Sequence, residues 1–66
     1  MQIVVNGEVK TIRQARNVDE LLHELGYERA SVAVASDGSF LPKQQYKTLM
    51  LKDDMELEIL VPMQGG

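Results

Sequence analysis

The residues with the most chemical potential stand at the end of the sequence, where Gly65-Gly66 carry the α-carboxylate on a side-chain-free dipeptide beyond the last apolar stretch. An α-carboxylate has a pKa of about 3.3–3.7, so it is ionised at neutral pH and is a poor acyl electrophile. Acyl chemistry there requires prior activation, such as adenylation by a second protein. Glycine at both positions has no Cβ, which lets the chain thread a narrow channel and lets a nucleophile approach the carbonyl closely. At average glycine usage a Gly-Gly end also arises by chance in about one chain in 200, or as a cloning scar. The dipeptide alone therefore leaves an inert end open.

No other group of residues assembles into a site by its spacing. Cysteine is absent, which removes disulfides, thiolate metal ligands and a thiol nucleophile. His23 is the single histidine, without a second ligand for zinc or a partner for general-base work, and its place between Leu22 and Glu24 suits a partly exposed helical position. Ser31, Ser36 and Ser39 lack a G-x-S-x-G setting. Asp53, Asp54, Glu56 and Glu58 are spaced as a turn followed by the solvent face of a strand, without the oxygen-rich loop of a calcium site. Gly7, Gly26 and Gly38 form neither GxGxxG nor a Walker loop. The sequence predicts no catalytic residue, no metal and no cofactor bound by this chain.

Sixty-six residues make one domain with a small core held by packing alone. Hydrophobic residues at 44% and charged residues at 26% suit a folded globular unit. The net charge of −3, with no basic stripe or aromatic platform, argues against nucleic acid as a partner. The apolar runs fall far short of the roughly 20 residues of a membrane helix, and Met1 to Val5 lacks the regions of a signal peptide. The expectation is a cytoplasmic protein, without membrane attachment and monomeric when free. The acidic cluster just before the tail would steer a basic partner surface toward that end.

The elements that must position the tail read as a small α+β domain. Met1 to Val5 and Glu8 to Ile12 flank Asn6-Gly7, a strong hairpin turn signal. A two-residue loop would pair Val4 with Val9 and put Ile3 and Val5 on one face with Glu8 and Lys10, so a longer loop or a bulge is an alternative. Asn17 with Glu20 three residues on resembles a capping box, Val18, Leu21, Leu22 and Leu25 form one helical stripe, and Gly26 supplies the stop. Val32 to Ala35 reads as a buried strand, and Asp37-Gly38 turns it toward Ser39 to Leu41, an edge strand that Pro42 ends. Lys43 to Lys47 is polar around Tyr46 and predicts a helical turn or loop. After a turn at Lys52 to Asp54, Leu57, Ile59 and Val61 alternate with Glu56 and Glu58 until Pro62. If the first and last strands sit side by side, the result is a β-grasp; the pattern alone allows other small α+β folds.

As a whole the chain resembles the ThiS-type sulfur carriers of thiamine biosynthesis, in the ThiS/MoaD group of the ubiquitin-like superfamily. The resemblance rests on Met1-Gln2-Ile3, Asn6-Gly7-Glu8, Val18 to Leu22, Val32 to Val34, Asp37-Gly38 through Tyr46, Leu57 to Leu60, and Pro62-Met63-Gln64-Gly65-Gly66. There are departures from the family pattern. Lys43 stands for an arginine, Tyr46 for a tryptophan, Asp37 for an asparagine, and Asp53 for the glycine of a Gly-Asp pair. The last of these removes a glycine from that turn.

The resemblance implies a β-grasp domain over residues 1–62, with a mixed sheet of four to five strands and one main helix on one face, followed by a flexible tail over 63–66. It implies a co-substrate without a catalytic site of its own. A ubiquitin-activating-type (ThiF-like) adenylyltransferase, using ATP and Mg that it binds itself, would adenylate Gly66. Sulfur from cysteine, supplied through a cysteine desulfurase, would convert Gly66 to a thiocarboxylate, and a ThiG-like thiazole synthase would take the sulfur into the thiazole ring. Pro62, Met63, Gln64 and Gly65 would thread the partners' active sites. Phe40, Leu60 and Met63 are apolar without an obvious core position; Phe40 and Leu60, with Glu58, are the docking candidates, although such residues can also complete the core. The alternatives are the small subunit of molybdopterin synthase, another sulfur carrier, a ubiquitin-like modifier joined to lysines, or a binding module with an inert tail.

Overall fold

The computed structural model describes residues 1–62. Along the chain lie β1 (Gln2–Val5), β2 (Glu8–Thr11), α1 (Val18–Glu24), β3 (Ala33–Ser36), β4 (Ser39–Leu41) and β5 (Glu56–Leu60), with 3-10 turns at Arg29–Ser31 and Lys43–Gln45. The strands form one mixed sheet in the order β2-β1-β5-β3-β4. Its centre is the parallel pairing of β1 with β5, Val4 opposite Glu56 and Val5 opposite Leu57; the remaining pairs are antiparallel. The first and last strands are neighbours, as a β-grasp requires.

The first hairpin closes through Asn6 and Gly7, both at positive φ (52° and 81°), the geometry of a type I′ turn. Val4 faces Val9, Ile3 faces Lys10 and Val5 faces Glu8. The loop has two residues, and the longer loop or bulge considered as an alternative does not occur. The conflict that suggested it is harmless because β2 is an edge strand. There Glu8 is exposed and Lys10 half-buried, and the two pair with each other at 3.6 Å. Burial on that side passes instead to Ile12, just after the strand.

The start of α1 is fully supplied with acceptors. Asn17 Oδ1 accepts from the Glu20 N–H at 2.8 Å, while the carbonyls of Leu49 and Tyr46 accept from Val18 and Asp19. Glu20 does not return to the Asn17 amide as a capping box would have it; its carboxylate accepts from Arg16, one residue earlier, at 2.8 Å. At the other end Gly26 takes φ +85°, and the bonds Gly26 N–H to His23 O and Tyr27 N–H to Leu22 O are the pair of a Schellman motif. Val18, Leu21 and Leu22 are buried against the sheet, and Leu25 packs half-buried at the rim.

The core also takes in Ile3, Val5, Val34, Leu57 and Ile59 from the sheet and Tyr46 from the 42–51 loop. Val61, expected to share a face with Leu57 and Ile59, is 58% exposed, because strand pairing ends at Leu60 and the chain has left the sheet. Asp54, not Asp53, holds the positive φ (65°) of the turn before β5, so the departure from Gly-Asp at Asp53 brings no strain there. The Asp53 carboxylate accepts from the Gln2 N–H at 2.8 Å and ties this turn to the start of β1.

One carboxylate organises the approach to the helix. Glu24 accepts from the backbone N–H groups of Arg13, Gln14 and Ala15 at 2.8, 3.0 and 2.9 Å. These bonds, that from Arg13 foremost, favour the charged form and hold the Glu24 carboxyl below its ordinary value. With the folded-state pKa lowered, the contribution is complete above the unfolded pKa and is lost as pH falls through the folded one. Glu24→Gln is expected to flatten the acid limb of stability. Urea midpoints of both proteins from neutral to strongly acidic pH test this; parallel limbs would remove Glu24 from the acid response.

Candidate functional site

The helix covers one face of the sheet and leaves the other open. Side chains alternate along a strand, so the residues between the buried Ile3, Val5, Val34, Leu41, Leu57 and Ile59 point to that open face. Register aligns them in rows. Phe40 on β4 lies opposite Ala35 on β3, which lies opposite Glu58 on β5; Ala33 lies opposite Leu60; and Glu56 lies opposite Val4, which faces Val9. Phe40 is 68% exposed and Leu60 58%. The three docking candidates from the sequence are thus brought onto one surface, with neither Phe40 nor Leu60 completing the core.

A shallow trough runs along this face beside β5, lined among others by Val4, Asn6, Ala35, Glu56, Glu58 and Leu60. Its lining mixes the carboxylates of Asp37, Glu56 and Glu58 with apolar side chains. Val4, Val9 and Ala35 are the part of this surface that the sequence reading did not single out. Their signal was the period of two, which puts Val4 opposite in direction to Ile3 and Val5. Beyond Leu60 the chain leads through the exposed Pro62 toward the tail. Met63, Gln64, Gly65 and Gly66, and with them the expected flexible tail, lie outside the described residues.

The other candidates stay apart from this surface. His23 is exposed on the helix, near Glu20 and Glu24, whose carboxylates are engaged by backbone donors. Among the described residues no three His, Asp or Glu side chains are grouped to hold a metal ion. No helix there is long and apolar enough to cross a membrane. Lys43, in the position of the family's arginine, donates from Nζ to the Arg29 carbonyl at 2.8 Å, and Arg29 donates to the Lys43 carbonyl at 3.2 Å. Arg29 also pairs with Asp19 at 3.4 Å and lies 5.8 Å from the centre of the Tyr46 ring. Lys43 and Tyr46 join the 42–51 loop to the 28–32 segment, a structural role.

Residues 3–66 match the family model of the ThiS family. The chain belongs to the ThiS family. The crystal structure of the thiamine biosynthesis protein ThiS from Geobacter metallireducens superposes with a TM-score of 0.81 at 35% identity, covering the whole of both chains. The solution structure of a thiamine biosynthesis protein from the same organism gives the same score and identity over all of this chain and 88% of that one. A thiazole synthase from Paramagnetospirillum magneticum is 35% identical over 66 residues, all of this chain. The chain spans 20% of that protein's length. As a ThiS family member with a five-stranded mixed sheet and one helix, the chain has the β-grasp fold expected of it.

Proposed function

We propose that this chain is a sulfur carrier of thiamine biosynthesis that acts through the carboxylate of Gly66. The observation that carries the reading is the extent of the family match, which runs through the Pro62 to Gly66 segment as well as the folded body. In the first step the carboxylate attacks the α-phosphate of ATP on a ubiquitin-activating-type adenylyltransferase, giving the acyl-adenylate and pyrophosphate. The ATP and its Mg belong to that enzyme. A persulfide formed from cysteine on a desulfurase then attacks the acyl carbonyl and displaces AMP, and a thiol such as excess cysteine reduces the resulting acyl disulfide, breaking its S–S bond to leave a thiocarboxylate, which a thiazole synthase consumes. The chain is the co-substrate throughout.

The thiazole synthase one-fifth of which resembles this chain supports the thiamine branch over the molybdopterin branch. The open face supports a docking role, since exposed Phe40 on β4 shares it with Glu58 and Leu60 on β5, the strand that leads into the tail. Intact mass after incubation with ATP, Mg, cysteine, a desulfurase and a cognate adenylyltransferase tests the reading. A gain equal to exchanging one oxygen for sulfur is expected, and none in a chain lacking Gly66. No gain with an enzyme active on another carrier would defeat it.

Glu56 and Glu58 steer the approach of a cationic partner surface in this reading. Replacing both by Gln is expected to slow association with the adenylyltransferase by roughly 10-fold at low ionic strength. The difference should disappear in high salt, where screening shortens to about 3 Å. Stopped-flow association at two salt concentrations measures it, and a salt-independent defect would assign the glutamates to another role.

A further inference from the structure

The rung that ties β5 to β1 nearest the tail is made by a side chain. Up to that point the parallel ladder is ordinary backbone: Val4 N–H donates to the Met55 carbonyl at 2.8 Å and Asn6 N–H to the Leu57 carbonyl at 3.0 Å. The next bond would need backbone beyond Asn6, but the chain reverses there through the positive-φ pair Asn6-Gly7. The Asn6 side-chain amide takes the vacant place. Its Oδ1 accepts from the Ile59 N–H at 2.8 Å, and its Nδ2 donates to the Ile59 carbonyl at 3.1 Å.

Among the described residues Ile59 has no alternative partner of this kind. Along a strand the N–H and C=O of successive residues point to opposite sides. With both Ile59 groups turned toward β1, the bonds to β3 fall to its neighbours. Without the amide, the backbone of a residue whose side chain is buried would lose both partners, and buried backbone groups are rarely left unpaired. The second hairpin has the same turn geometry at Asp37-Gly38 (φ 52° and 79°), yet Asp37 makes no such bridge among the described residues. The turn itself does not require the bridge.

We propose that Asn6 is a positioning residue for the carrier reaction: its amide fixes the last rung between β1 and β5 and so sets the direction in which Val61 and Pro62 leave the sheet beyond Leu60, which is itself paired with Ala33 on β3. The inference rests on the carrier reading above. Gly66 lies seven positions beyond Ile59, so the rung stands at the root of the segment that the carrier reading sends into the partner's site, and where Val61 and Pro62 leave the docked body decides how that segment enters. Phe40, Glu58 and Leu60 stay held through β3, where Ala35 lies opposite Phe40 and Glu58 and Ala33 opposite Leu60, so loss of the amide falls on delivery more than on binding.

Asn6→Gly keeps the positive-φ turn and deletes the amide; Asn6→Asp keeps the turn and the acceptor but loses the donor. Two readouts are taken at a temperature where every variant is folded. In Asn6→Gly, amide hydrogen exchange is expected to show Ile59 losing ~10-fold more protection than Leu21, which lies in the helix. In ATP–pyrophosphate exchange catalysed by the adenylyltransferase, kcat is expected to fall by about 10-fold with KM for the carrier within about two-fold, and Asn6→Asp to lie between. Equal loss of protection at Ile59 and Leu21, or selective loss at Ile59 with kcat unchanged, would overturn the proposal. Failure of the unsubstituted chain to support exchange would instead defeat the carrier reading, and with it the positioning role, while exchange at Ile59 would still report whether the amide holds β5.

Discussion

Replacing Tyr46 by alanine is expected to leave the chain largely unfolded at room temperature, whereas replacing it by phenylalanine should leave it as stable or more so. Tyr46 is the largest of the fully buried side chains, with 0% exposure. Truncating such an aromatic costs about 3–5 kcal/mol. A domain of this length has roughly 3–10 kcal/mol in total, at 0.05–0.15 kcal/mol per residue, so the loss consumes much or all of it. The main chain at Tyr46 also accepts from the first turn of α1, so the cavity would open beside the helix start. The phenylalanine variant separates ring from hydroxyl. The Tyr46 hydroxyl is buried without a hydrogen-bond partner among the described residues, and such a group carries a desolvation penalty of about 1–3 kcal/mol. Removing it should raise Tm by several degrees, at about 4–8 °C per kcal/mol for a domain of this size. Thermal and urea unfolding followed by circular dichroism checks both. A destabilised Tyr46→Phe would mean that the hydroxyl has a partner in solution.

The double substitution Phe40→Ala with Leu60→Ala is expected to raise KM for the carrier in adenylation by on the order of 10²-fold, equivalent to about 2.7 kcal/mol of binding. Its effect on folding should stay within about 1 kcal/mol, because both side chains are more than half exposed and point away from the helix. Steady-state kinetics of ATP–pyrophosphate exchange against carrier concentration, with unfolding measured in parallel, gives the comparison. An unchanged KM would move the docking surface away from the open face. A lowered kcat at constant KM would point to tail delivery, the signature assigned to Asn6.

The helix, both type I′ turns and the edge position of β4 were legible in the sequence because each rests on local chemistry. Asn17 before an i, i+3, i+4, i+7 stripe fixes the start and face of a helix, Gly26 fixes its end, and Asn6-Gly7 and Asp37-Gly38 supply the positive φ that tight hairpins need. The exposure of Phe40 and Leu60 was legible for a related reason: they broke the core pattern, and period-two alternation places such residues on the uncovered face. The role proposed for Gly65-Gly66 came from the family resemblance; no spacing could give it.

What only the tertiary structure decided concerns residues whose role depends on distant partners. The hairpin register looked doubtful because Glu8 and Lys10 share a face with Ile3 and Val5; the edge location of β2, a property of strand order, removes the difficulty. Val61 continued the apolar alternation, but pairing stops one residue earlier. Glu24 reads as an ordinary exposed helix residue until the 13–15 loop is folded onto it, and Asn6 as an ordinary turn residue until Ile59, 53 positions away, comes alongside. A turn or a cap is encoded within a few residues, where the chain's own geometry limits the choices. A rung between the first strand and the last exists only once the whole sheet has closed.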